Sequence, residues 1–94
     1  MNRNQKQTIS YTGICYTISD NDAIVESYGS DKTAVLKETL AGALCYGETR
    51  FSIRTSLNRH PVMIEHFTIT DPKNGQYRAT SKATLPYKSR KVTQ

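Results

Sequence analysis

Acidic residues are scarce in the second half of this 94-residue chain and absent after Asp71. Residues 1–48 carry four basic and six acidic side chains, whereas 49–94 carry nine basic and two acidic ones, so the whole formal charge of +5 belongs to the second half. A stretch of one sign that long concentrates polyanions or acidic surfaces around itself. Long apolar runs are missing as well. Nothing approaches the roughly 18 apolar residues of a membrane span, and the polar start MNRNQKQT has no hydrophobic run behind it. The expectation is a soluble cytoplasmic chain with no membrane partner.

Cysteine is limited to Cys15 and Cys45, and no CxxC or HxxxH spacing accompanies them or the two histidines, His60 and His66. That excludes the common zinc motifs, and in a cytoplasmic setting two thiols are expected as reduced residues rather than a disulfide. Asp20 and Asp22 lack the glycine and distal glutamate of a calcium loop, so they read as turn residues. Gly42 and Gly47 belong to no glycine-rich phosphate loop. Cys45 has no third group in view that would orient a base toward it, which makes a small hydrolase or transferase the weakest of the functional readings. No metal and no cofactor are expected.

What remains is enough for one small core. At 36% apolar residues with six tyrosines and two phenylalanines, the chain is too hydrophobic to be wholly disordered. Residues 1–7 have no period and read as a flexible tail. From 8 to 19, Ile9 and Tyr11 alternate in one phase and Ile14, Tyr16 and Ile18 in the other, with Gly13 at the change, which suggests a β-bulge. The turn cluster 19–22 leads into a return strand over 23–28. Ser30 is placed to cap a helix whose apolar stripe is Leu36, Leu40 and Leu44 with Ala43 beside it; Gly47 stands where a C′ glycine belongs, and Gly42 weakens the last turn.

Three strands follow. Over 49–57, Phe51, Ile53, Thr55 and Leu57 take one face and Arg50, Ser52, Arg54 and Ser56 the other. Asn58-Arg59-His60-Pro61 reads as a turn, and 62–70 is apolar on both faces, as in a central strand. Asp71-Pro72-Lys73-Asn74-Gly75 is the strongest hairpin signal, and 76–85 alternates again. The pattern predicts an α+β fold, ββαβββ: an antiparallel sheet of about five strands over 8–85 with one helix on one face, followed by a basic tail over 86–94.

This geometry names the candidate site. If the apolar phase faces the helix, Arg50, Arg54, Arg78 and Lys82 project from the open face, and Lys88, Arg90 and Lys91 of the tail stand beside them. Such a stripe suits phosphates or the acidic surface of a nucleoprotein complex. Nothing marks a helix-turn-helix or the aromatic signature of a single-strand-binding sheet. Of the tyrosines, Tyr11, Tyr16, Tyr28 and Tyr77 are expected to pack, while Tyr46 and Tyr87, at element ends, are candidate interface aromatics. In type, a small charged single domain without catalytic motifs resembles the phage-encoded inhibitors of bacterial defence systems, anti-CRISPR proteins among them. The resemblance implies a non-enzymatic binder of a nucleic-acid-handling complex. The alternative is a homodimeric interaction subunit, joined through the open face or an edge strand, on which the charge is incidental.

Overall fold

The computed structural model describes residues 7–16 and 23–85. They form β1 (Ile9–Tyr16), β2 (Ala23–Gly29), α1 (Lys32–Tyr46), β3 (Arg50–Leu57), β4 (His60–Asp71) and β5 (Gln76–Thr84), with a 3-10 turn at Pro72–Asn74 before the last strand. The sheet is antiparallel throughout, in the order β2-β1-β3-β4-β5, and α1 packs on one of its faces. This is the predicted ββαβββ arrangement. The proposed tails and the turn over 19–22 lie outside the described residues, except for the attachment point of the first strand. There Thr8 and Asn58 exchange hydrogen bonds: the Thr8 amide donates to Asn58 Oδ1 (2.9 Å) and the Asn58 amide to the Thr8 carbonyl (2.7 Å).

The helix starts one residue later than Ser30 suggests. Asp31 is the N-cap, its Oδ1 accepting from the amides of Thr33 (3.1 Å) and Ala34 (3.4 Å), so one carboxylate satisfies two first-turn donors at the positive end of the helix dipole. Gly47 closes the other end at φ 72°, a left-handed conformation that glycine adopts without penalty.

The buried line of the helix also differs from the leucine stripe. Val35, Thr39, Gly42 and Ala43 are buried against the sheet, and Leu36, Leu40 and Leu44 flank them, half-buried. Small residues hold the seam because the backbones come close there. A Cβ on Gly13 would overlap the Thr39 side chain, and one on Gly42 would overlap Glu26. Thr39 tolerates full burial because its hydroxyl donates to the Val35 carbonyl (2.6 Å).

Cys15, Val35, Ala43, Phe51, Ile53, Phe67 and Ile69 make the core. The helix rests chiefly on β1 and β2 and less on β3, so the far part of the core is closed by rings. Phe51 and Phe67 stack at 4.9 Å, and Tyr77 meets both edge-on at 5.7 and 5.8 Å. On the same side, Lys32 at the helix start pairs with Glu65 of β4 at 2.7 Å.

Irregularities in pairing decide which way side chains point. Between β1 and β2, Gly13 faces Ser27 and Ile14 faces Val25, so the extra residue is Glu26 on the partner strand, not a residue beside Gly13. β1 itself keeps an unbroken register with β3, and Cys15 therefore joins the helix side. Asn58 and Arg59, at φ 51° and 72°, make a two-residue turn in which both central positions are left-handed, the hand that suits a twisted hairpin. His60 and Pro61 consequently belong to β4 rather than to the turn.

Candidate functional site

Residues opposite each other in an antiparallel pair share a face, so the registers define the open side of the sheet row by row. One row runs Arg50, Thr68, Arg78 across β3, β4 and β5. The next runs Val25, Ile14, Ser52, His66, Ser81, and the third Tyr28, Thr12, Arg54, Ile64, Ala83. Three of the four sheet cations named from the sequence thus share the face away from the helix. Arg50 and Arg78 are exposed and Arg54 is half-buried.

Lys82 does not join them. Phe67 faces Ala79 while His66 faces Ser81, which leaves Thr80 as an extra residue that reverses the phase of β5 beyond it. Lys82 is therefore paired with Glu65, on the helix side. The bulge is stabilised locally, since Thr80 donates its hydroxyl to the His66 carbonyl at 3.2 Å. Lys88, Arg90, Lys91 and Tyr87 lie outside the described residues.

The strand carboxylates are arranged in the opposite sense. Glu26 lies under Gly42 and Glu65 pairs with Lys32, both on the helix side, and Asp71 sits at the strand end, accepting from the Asn74 side chain at 2.8 Å. The open face presents arginine, histidine and hydroxyls, and among the described strands no carboxylate lies between its three arginines.

A polar cluster at the centre of this face was not legible beforehand. Ser52 Oγ lies 2.7 Å from His66 Nδ1 and 3.4 Å from the Tyr16 hydroxyl, and the Arg50 guanidinium stands over the Tyr16 ring, 5.6 Å from its centroid. These residues, with Thr68 and Thr80, line a depression of about 380 Å³. A serine bonded to an imidazole is the start of a nucleophile and base, but Ser52 is only 1% exposed and no carboxylate among the described residues orients His66. A shielded hydroxyl with an unsupported base does not meet the geometry of acyl transfer. The pair instead fixes the ring and the tyrosine in place.

The other tyrosines divide. Tyr46 is exposed, as its place at the helix end implies, and the nearby Glu26 carboxylate pushes its phenol above the ordinary value. Tyr11 and Tyr77 pack against the core. Tyr28, expected to pack, is 66% exposed because the bulge at Glu26 leaves it on the open side of an edge strand, near exposed Val25. Cys15 and Cys45 are free thiols, buried and exposed respectively; burial, reinforced by Glu26 and Glu48, pushes the Cys15 thiol up to about 11. Among the described residues no helix is long and apolar enough to cross a membrane. Comparison with family models, with characterised proteins and with solved structures finds no match to this chain, and its functional reading rests on the geometry above.

Proposed function

We propose that this chain is a non-enzymatic binding protein whose open sheet face engages a nucleic acid, alone or within a complex that handles one. The observation that carries the reading is the sorting of charge between the two faces: Arg50, Arg54 and Arg78 on the open side, Glu26 and Glu65 on the helix side. A face kept only for solubility has no need to exclude one sign, because interspersed charges serve that purpose equally well. Among the arginines lie Ser52, Thr68 and Ser81, with Ser56 just beyond Arg54, side chains that donate to phosphate oxygens without reading sequence. An inhibitor of the anti-CRISPR type working through such a face would bind guide or target strands, or an acidic protein patch. Its charge has the wrong sign to imitate DNA.

Fluorescence anisotropy with labelled single-stranded DNA, duplex DNA and RNA tests the reading. Three phosphate contacts predict that affinity falls about 20- to 40-fold between about 50 and 200 mM salt. Reversing Arg50 and Arg78 to Glu should lower affinity at least about tenfold, roughly 1.4 kcal/mol, and change stability by about 1 kcal/mol or less, since both positions are exposed and Arg50 gives up its contact with the Tyr16 ring. Wild-type protein that binds none of the three ligands at low salt refutes it.

The homodimer is a second reading, and one observation favours it. All nine residues of β5 are exposed and the strand lies at the edge of the sheet. Opposing it are the Thr80 bulge and the charges of Arg78 and Lys82, devices that discourage edge-to-edge pairing. Light scattering across a range of protein concentrations and two salt concentrations separates the readings, because an apolar or backbone-paired dimer is nearly indifferent to salt.

A further inference from the structure

We infer that the row Arg50, Thr68, Arg78, together with the depression beside it, is a subsite for one phosphate group of a nucleotide unit; the inference rests on the reading of the open face as a nucleic-acid surface and assigns its central contact. The register sets the geometry. Arg50 faces Thr68 and Thr68 faces Arg78, so the two arginines stand on adjacent sides of one threonine, two interstrand spacings or about 10 Å apart at the backbone. Their long side chains converge on a group seated over Thr68 from opposite directions.

The donors suit a tetrahedral oxyanion better than a carboxylate. A planar carboxylate is satisfied by one guanidinium fork, whereas phosphate has oxygens to offer a second fork and a hydroxyl as well. Arg50 is already held by the face of its guanidinium on Tyr16, which leaves the in-plane N–H donors free to point at a ligand. His66 is engaged through Nδ1 by Ser52, so Nε2 is the ring atom left for a further bond. At about 380 Å³ the depression is larger than a phosphate needs and falls within the range of small-ligand sites, with room for the attached sugar or base beside Tyr16, His66 and Thr80. Glu26 and Glu65 lie on the helix side, so neither competes for the arginines.

The test is anisotropy with a labelled single-stranded oligonucleotide, on Arg50→Gln, Arg78→Gln, Thr68→Val and, as a control of equal charge change on the other face, Lys82→Gln. Each arginine variant should lose at least about tenfold in affinity and reduce the salt slope by about one contact. Thr68→Val should lose about three- to tenfold, and Lys82→Gln less than about twofold. Should Arg50→Gln fail to fold through loss of its seat on Tyr16, Arg78→Gln, on the exposed edge strand, carries the comparison. Competition with a nucleoside monophosphate and with inorganic phosphate at matched ionic strength identifies the source. Displacement by either assigns a free phosphate, and binding by the oligonucleotide alone assigns a phosphate within a strand; both support the subsite when the row variants are impaired. If the wild type binds with the expected salt dependence but the row variants lose no more than Lys82→Gln, the subsite is refuted and the basic-face reading stands. If the wild type binds no nucleic acid at any salt, both fall together.

Discussion

Replacing Gly13 with alanine puts the seating of the helix to a test of sign as well as size. In a strand lying free, Gly→Ala restricts the unfolded chain and stabilises by about 0.4–1 kcal/mol. Here the new methyl would overlap Thr39 Oγ1, with Thr39 Cβ and Cγ2 at 2.8 and 3.1 Å, and Thr39 is fully buried with its hydroxyl tied to the Val35 carbonyl. The threonine has no room to rotate away, so α1 must lift from β1. Overpacking of this kind costs about 1–3 kcal/mol, which for a domain this small is about 4–8 °C of melting temperature per kcal/mol. Thermal and urea melts of Gly13→Ala should therefore show a loss of about 5–20 °C.

The double variants make the argument specific. Thr39→Ala removes the hydroxyl and one methyl but leaves a carbon 2.8 Å from the new one, so it should rescue Gly13→Ala only in part. Thr39→Gly removes both contacts, and in that background Gly13→Ala should be close to neutral. The coupling between the two positions is expected at about 1–3 kcal/mol in the rescuing direction. Gly13→Ala melting at or above the wild type, or a double variant as impaired as the sum of its singles, would refute the close approach of β1 and α1.

The remaining expectations concern thiols, packing and the open face. Maleimide should label exposed Cys45 in the native protein and buried Cys15 only on unfolding; equal native labelling overturns the burial of β1 under the helix. Because Cys15 keeps its proton up to about pH 11 in the fold while the unfolded thiol ionises near 9, stability is unaffected by this group below about pH 8 and declines as pH rises from 9 to 11, by about 2–3 kcal/mol. Cys15→Ala should flatten that part of a denaturation profile, and an unchanged decline would assign it to other groups. Ile53→Ala, at a fully buried position, should cost about 3–4 kcal/mol, against about 1–2 for Leu40→Ala at the half-buried flank; the reverse ranking in urea melts would restore the leucines as the buried line. Ser52→Ala should leave the fold within about 1.5 kcal/mol of wild type yet broaden the resonances of Tyr16 and His66, whose orientation it fixes.

The element order was legible because each element carries its own period or punctuation. β3 alternates without interruption, so Arg50 and Arg54 were assigned to the right face, and Gly47 and Gly75 mark left-handed positions that the chain uses as such. The helix stripe was misplaced for a physical reason. Leucines are the most apolar residues in the window, but a helix seated closely on a sheet needs small side chains along its line of contact, and Thr39 and Gly42 supply them while leucines fill the sides. Gly13 does mark the place of a bulge, but the extra residue is Glu26 on β2, and the missing Cβ of Gly13 also serves the approach of Thr39.

Where reading failed most, the information is held in pairs of residues and not in either one. Thr80 is a good strand residue with nothing to mark it as extra; it becomes a bulge only because β4 offers Phe67 to Ala79 and His66 to Ser81. That single slip turns Lys82 toward Glu65 and Lys32, and it gives the open face three arginines in place of four cations. The cluster of Tyr16, Ser52 and His66 is likewise a product of register, joining positions 36 and 14 residues apart. Charge content could be read from the chain, but charge placement depends on the bulges, and placement is what distinguishes a binding face from a solvated one. If Thr80 were deleted, Ala79 and Ser81 would alternate regularly opposite Phe67 and His66, and Lys82 would stay opposite Glu65 on the helix side. Such a variant should bind a polyanion with the affinity and salt slope of the wild type if the three arginines are the contacts, and tighter binding with a steeper slope would show that Lys82 can reach the open face.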